Sequence, residues 1–206
     1  MSEPLLQALQ RLHAIAQTGL TYSKDPYDLE RFAEVRTLAE ASLARLLEVD
    51  STALAQHYAL DRGYPTPKVD VRTAVFSGDK LLLVREAADG LWTMPGGWAD
   101  ETDSPKEAAE REVREESGFE VAVTRLISLK DRRRHGYVPQ LLGGCYKLFF
   151  LATLTGGQSR TSIETTDVEF FAVDRLPPLS LGRTLPEDVL QAHAAYRDPN
   201  VPLVFD

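Results

Sequence analysis

The sequence predicts an α+β protein in two parts: a small helical region over residues 1–62 and a larger, strand-rich domain over residues 68–206. Three observations carry this reading. Between about Pro4 and Leu60 apolar residues recur three and four apart, in Leu5, Leu6, Leu9 and Leu12 and again in Phe32, Val35, Ala39, Leu43, Leu46 and Leu47, and strand signals are missing. At Asp61-Arg62-Gly63-Tyr64-Pro65-Thr66-Pro67 two prolines and a glycine mark a linker. After that linker, runs of strand-forming residues dominate.

Within the helical region, Tyr22-Ser23-Lys24-Asp25-Pro26 separates the first helix from the second, and Asp50-Ser51 suits the cap of a short third one. So few short helices make a thin core, so the region is expected to pack on the rest of the chain or on another subunit. In the second part, Val69 to Phe76 and Leu81 to Val84 flank Ser77-Gly78-Asp79-Lys80 and read as a hairpin. Further strands are expected near Val121 to Leu129, Tyr146 to Leu154 and Val168 to Val173, with a closing helix over Pro186 to Tyr196.

The composition, with 43% apolar and 26% charged residues among 206, suits a soluble globular protein. No basic segment followed by an apolar stretch opens the chain, and no apolar run approaches the roughly 20 residues that cross a bilayer, so a cytoplasmic protein is expected. A formal charge of −8 opposes diffuse binding to nucleic acid, which relies on lysine and arginine to neutralise phosphates. A small phosphorylated ligand is compatible with that charge if a metal ion and a few local arginines face it. Cys145, the single cysteine, lies in the apolar run Cys145 to Leu151 and reads as a buried packing residue rather than a catalytic thiol.

The most informative stretch runs from Gly96 to Phe119. It carries its own helix punctuation: Ser104 can cap, Pro105 fits the first helical position, Glu107 completes a Ser-x-x-Glu capping box and Gly118 suits the left-handed residue after the last turn. With about 100° between successive residues, Glu112, Glu115 and Glu116 share an arc of roughly 100° on this helix, residues 104 to 118. Clustered like charges destabilise a helix unless a cation neutralises them, and several carboxylate oxygens suit hard ions such as Mg2+ or Mn2+. Such an ion could bridge to a diphosphate, polarise phosphorus and lower the pKa of an attacking water. Glutamate-rich helices are commonly just solvated faces, so these three residues alone do not decide the matter.

The surrounding spacing does. Gly97, five residues, Asp103, seven residues, Arg111-Glu112-Val113, one residue, Glu115-Glu116, one residue, Gly118-Phe119 resembles the Nudix box in every place but one: the family has glutamate where this chain has Asp103. The resemblance implies an α/β/α sandwich with a mixed sheet, and a metal site formed by the helix and the loop before it. It implies Glu112, Glu115 and Glu116 as metal ligands and catalytic residues, with the Gly97 carbonyl a further ligand. Arg111 would brace the carboxylates, and because the family residue at position 103 pairs with that arginine, the shorter Asp103 puts the brace in doubt more than the metal site.

Segments Gly63 to Asp70, Leu91 to Asp100 and Thr161 to Phe171 resemble the Nudix branch with an added N-terminal helical region, which includes CDP-choline and ADP-ribose pyrophosphatases. In that branch the added region is associated with dimer formation and with shaping the substrate pocket, so a homodimer is expected. The expected substrate is a nucleoside diphosphate linked to a group X. CDP-choline, giving CMP and phosphocholine, is preferred, and ADP-ribose, giving AMP and ribose 5-phosphate, is the alternative. RNA-end trimming and a non-catalytic nucleotide sensor stand further off. Glu164, in a polar stretch before a strand, is a candidate ligand or general base. Arg132, Arg133 and Arg134, the densest positive cluster, and Arg85 at a strand end are candidate phosphate contacts, while His135 is a weak candidate catalyst. Trp98, directly after the loop glycines, could stack on a base or face a choline cation, whereas Trp92 is expected in the core.

Overall fold

The computed structural model describes residues 3–59, 63–139 and 143–206, and of the expected linker Asp61 and Arg62 lie outside these. The chain divides into two compact units, residues 1–66 and 67–206. Among the described residues no helix is long and apolar enough to cross a membrane.

The first unit contains α1 (Glu3–Tyr22), α2 (Pro26–Leu47) and α3 (Ser51–Ala59). Asp25 caps α2 by accepting from the backbone of Tyr27 and Asp28, and Asp50 accepts from Ala53 N at the start of α3. Leu6 and Ala16 of α1, Ala39, Leu43 and Ala44 of α2 and Leu54 of α3 are buried. Gly19 lets α1 and α2 approach closely, since a Cβ there would lie 2.4 Å from the Phe32 ring. Leu5, Leu12 and Ile15 of α1 and Leu38 of α2 remain exposed in the single chain.

The second unit is built on a mixed seven-stranded sheet: β1 (Lys68–Ser77), β2 (Lys80–Glu86), β3 (Trp92–Thr93), β4 (Phe119–Asp131), β5 (Cys145–Gly157), β6 (Thr165–Ala172) and β7 (Val204–Phe205). The order is β3-β2-β1-β5-β4-β7, with β6 paired to β2; β1 and β5 run parallel. Two helices cover it, α4 (Pro105–Ser117) and α5 (Pro186–Arg197). Strand alternation separates their faces. Val71 and Val75 of β1 pack with Ala108, Ala109 and Val113 of α4, while Ala74 and Phe76 pack with Val189 and Ala192 of α5. The result is the α/β/α sandwich with a mixed sheet expected from the resemblance. The two-residue strands β3 and β7 were not anticipated, because so short a pairing leaves no periodicity to read.

The start of α5 is tied to the sheet by a buried ion pair. Asp188 accepts from Lys130 Nζ (2.6 Å), from the Tyr137 hydroxyl and from Leu185 N, so its charge is met on several sides. Trp92, partly buried, lies edge-on to Phe171 at 4.7 Å and packs against the α5-side core, as expected.

Candidate active site

The sequence before α4 folds back along the free edge of β1. Thr73 N donates to Pro95 O (2.9 Å), Val71 N to Gly97 O (2.8 Å) and Ala99 N to Val69 O (3.0 Å), which pins the glycine loop to the strand. Gly96 has φ +146, and a Cβ there would lie 2.0 Å from Val71 O; at Gly97 a Cβ would meet the Glu112 carboxylate at 2.9 Å. Gly96 thus has no room for a side chain, whereas one at Gly97 would push the Glu112 carboxylate aside. The loop therefore lies directly against α4, and Gly96 N donates to Glu116 Oε2 at 2.9 Å.

The capping box that the sequence promised at the start of α4 is formed, and Gly118 is left-handed at its end. Glu112 and Glu116, one turn apart, are buried, whereas the Glu115 side chain is 55% exposed because it sits at the far edge of the arc. Arg111 binds the group from the helix side: Nε donates to Asp103 (2.8 Å) and Nη1 to Glu112 (2.8 Å) and Glu115 (3.1 Å). The shorter Asp103 thus still reaches the arginine.

A cavity of about 520 Å³ opens in front of these residues, lined by Glu112, Glu116, Gly97, Trp98, Glu164 and Arg132 among the candidates, and by residues not anticipated. Its size suits a small-molecule ligand. Glu115, Arg85, Arg133, Arg134 and His135 are not in its lining. Arg85 donates to Gly90 O, Arg133 is held by Asp131, Arg134 is exposed, and His135 meets Asp206. The unanticipated lining includes Asp70, Arg72, Glu86, Lys147 and Arg183. Buried Asp70 accepts from Arg72 Nε (3.1 Å) and Nη2 (3.0 Å) and from Lys147 Nζ (2.6 Å), and Arg183 meets Glu86 at 2.9 Å. Alternation along β1 and β5 could have placed Asp70, Arg72 and Lys147 on one face, but nothing local distinguishes such charges from solvated ones. Cys145 also lines the cavity; burial pushes its thiol up to about 11, so it is protonated near neutrality, in keeping with a packing role.

Burial pushes the Glu116 carboxyl up to about 8, and the nearby Glu86 and Glu112 charges add to this against Arg72 and the Gly96 N–H. Burial also raises Glu112, against the opposing effect of Arg111, and raises Glu86, against Arg183 and Arg72. Among the described residues no group of three or more His, Cys, Asp or Glu side chains converges to clasp an ion unaided. The donor chemistry nevertheless fits a hard divalent cation, because buried oxygen donors with surplus negative charge face one cavity. In the metal-free protein, a carboxyl raised above its ordinary 4.5 contributes stability at low pH that is lost as pH climbs from about 4.5 towards about 8. With chelator present, wild-type melting temperature is therefore expected to fall through that window relative to Glu116→Gln, as read by thermal unfolding at several pH values; parallel curves would contradict the assignment.

Residues 66–192 match the Nudix domain family, and residues 3–56 match a family described as a UDP-X-like, N-terminal oligomerisation domain. The chain is 41% identical over 201 residues to the Bacillus subtilis (strain 168) protein YjhB, covering 98% of this chain and 96% of that one; its name proposes an ADP-ribose pyrophosphatase. A crystal structure of an ADP-ribose pyrophosphatase from Streptococcus suis 89-1591 aligns with 68% of this chain and all of its own, at 39% identity and a TM-score of 0.63. A crystal structure of a UDP-X diphosphatase aligns along the full length of both chains, at 33% identity and a TM-score of 0.64. With residues 66–192 matched to the family's domain and a relative 41% identical along 98% of its length, the chain belongs to the Nudix family and is a pyrophosphohydrolase.

Proposed function

We propose that the protein hydrolyses ADP-ribose to AMP and ribose 5-phosphate with Mg2+, for which Mn2+ can substitute. The observation that carries metal-assisted hydrolysis is the pair of buried carboxylates, Glu112 and Glu116, facing the Gly96-Gly97 loop inside a ligand-sized cavity. With the Gly97 carbonyl they would hold the metal, and Glu115, which lies outside the cavity and bonds Arg111, would join them by turning inward from the edge of the same arc. A bound ion supplies charge stabilisation at phosphorus and a lower pKa for water. Arg111 orients Glu112 and Glu115, and the Gly96 N–H orients Glu116. We read Glu164, which also lines the cavity, as the base that takes a proton from water or as a further metal ligand. Water adds to one phosphorus, the P–O bond to the other phosphate breaks, and two monoesters leave.

ADP-ribose is placed first because the names of the Bacillus and Streptococcus relatives point to it. CDP-choline is the second reading, favoured by Trp98, which is 47% exposed on the cavity beside Asp100 and so could face a choline cation. We also read the first unit as a dimerisation element in a cytoplasmic homodimer, supported by its oligomerisation-domain match and its exposed Leu5, Leu12, Ile15 and Leu38.

Product analysis after incubation with Mg2+ should show AMP and ribose 5-phosphate from ADP-ribose, at a higher rate than phosphocholine from CDP-choline. Chelation should abolish both, and Glu116→Gln should lower turnover by about a hundredfold or more without unfolding the protein. Undiminished turnover in that variant would remove the assignment of Glu116. Light scattering should give twice the chain mass, and a monomer mass at working concentration would remove the dimer.

A further inference from the structure

We propose that Arg132 recognises a hydrogen-bond acceptor on the part of the substrate beyond the diphosphate, and so acts as a specificity-determining residue. The inference rests on the nucleoside-diphosphate reading above for its ligand class, and on the following geometry for everything else.

Arg132 is only 4% exposed, yet it lines the cavity. Its guanidinium is held in place: Nη2 donates to Pro139 O (2.6 Å) and Gly182 O (3.4 Å), and the group lies 5.7 Å from the Tyr137 ring centroid. Nη1, by contrast, is buried and has no hydrogen-bond partner among the described residues. A buried donor without an acceptor costs free energy, more so on a cation, and such groups are rare enough in folded proteins to require a reason. Arginine only donates, so the missing partner is an acceptor, and a trimethylammonium group is excluded from this place. The neighbouring arginines do not share this condition, since Arg133 is bonded to Asp131 and Arg134 points to solvent.

Position decides which part of the ligand is involved. The glycine loop, and with it the Glu116 carboxylate, lies along the free edge of β1. Arg132 directly follows β4, which is separated from β1 by β5, so it stands roughly 10 Å across the sheet on the opposite side. Asp70, Arg72 and Lys147 lie between, where both cations donate to the single Asp70 carboxylate. A diphosphate held at the carboxylates would therefore extend its sugar or base towards Arg132, and a hydroxyl oxygen or a base acceptor atom would complete the guanidinium.

Calorimetric binding with Ca2+ in place of Mg2+ tests this with a nested series of pyrophosphate, ADP and ADP-ribose on wild type and Arg132→Met. At least a tenfold weakening for ADP-ribose, with pyrophosphate held as in wild type, is expected. If ADP is unaffected the acceptor is on the terminal ribose, and if ADP weakens equally it is on the nucleoside. Equal affinities for ADP-ribose, an equal loss for pyrophosphate, or no binding of ADP-ribose to wild type would overturn the proposal. Should Arg132→Met fail to fold, Arg132→Lys, which keeps the charge but not the fork of donors, is read against the same outcomes. Hydrolysis by wild type in Mg2+ is scored separately, so a ligand that binds through Arg132 but is not cut would sink the hydrolase reading alone.

Discussion

The approach of the Gly96-Gly97 loop to α4 is the constraint on which the site depends. Val71 and Thr73 hold the loop by their backbone N–H groups, and the loop in turn covers Glu112 and bonds Glu116. Two carboxylates are thereby kept away from water with incomplete compensation, and this withdrawal is what raises both pKa values. A helix with the same glutamates in open solvent would attract a cation only weakly, because water screens the stripe of charge. Arg111 eases part of the repulsion from the outer side, where it also engages Asp103 and Glu115, and so the surplus charge faces the cavity.

The sheet contributes a second set of buried charges with a different logic. Asp70 is held well below the ordinary carboxylate range, because Arg72 and Lys147 outweigh the opposing effect of burial. Burial lowers Lys147, which Asp70 only partly offsets. Removing Asp70 would take the shared carboxylate from both Arg72 and Lys147, so Asp70 is the centre of the set that forms the cavity floor between the carboxylates and Arg132. Lys130 and Asp188 do the same for the junction of β4 with α5, and Tyr137 links that junction to the loop where Arg132 is anchored.

Much of this was legible in the sequence because it is written in local signals. Ser104, Pro105, Glu107 and Gly118 delimit α4, and the spacing from Gly97 to Phe119 singles out Glu112, Glu115 and Glu116 alike. The long strands and α5 follow from alternation and helical spacing, with boundaries shifted by a few residues. What remained hidden depends on contacts between distant segments. Glu86 and Arg183 are 97 positions apart, and Asp70 meets Lys147 only because β1 and β5 pair in parallel. Arg132, Arg133 and Arg134 look equivalent in the chain, and it is the turn after β4 that buries the first and exposes the last. Glu115 similarly shares the helical arc but not the cavity, since its place in the arc turns it towards solvent and Arg111.

Glu112 and Glu116 are withdrawn from water so that a divalent cation can take the place of the protons that burial leaves on them. Titration of the metal-free protein with Mn2+ at neutral pH, followed by the electron paramagnetic resonance of the free ion and by proton release, tests it directly. The account predicts binding that releases protons and is strongly weakened in both Glu112→Gln and Glu116→Gln. Binding of equal strength in those variants, or no uptake by the folded wild-type protein, would contradict it.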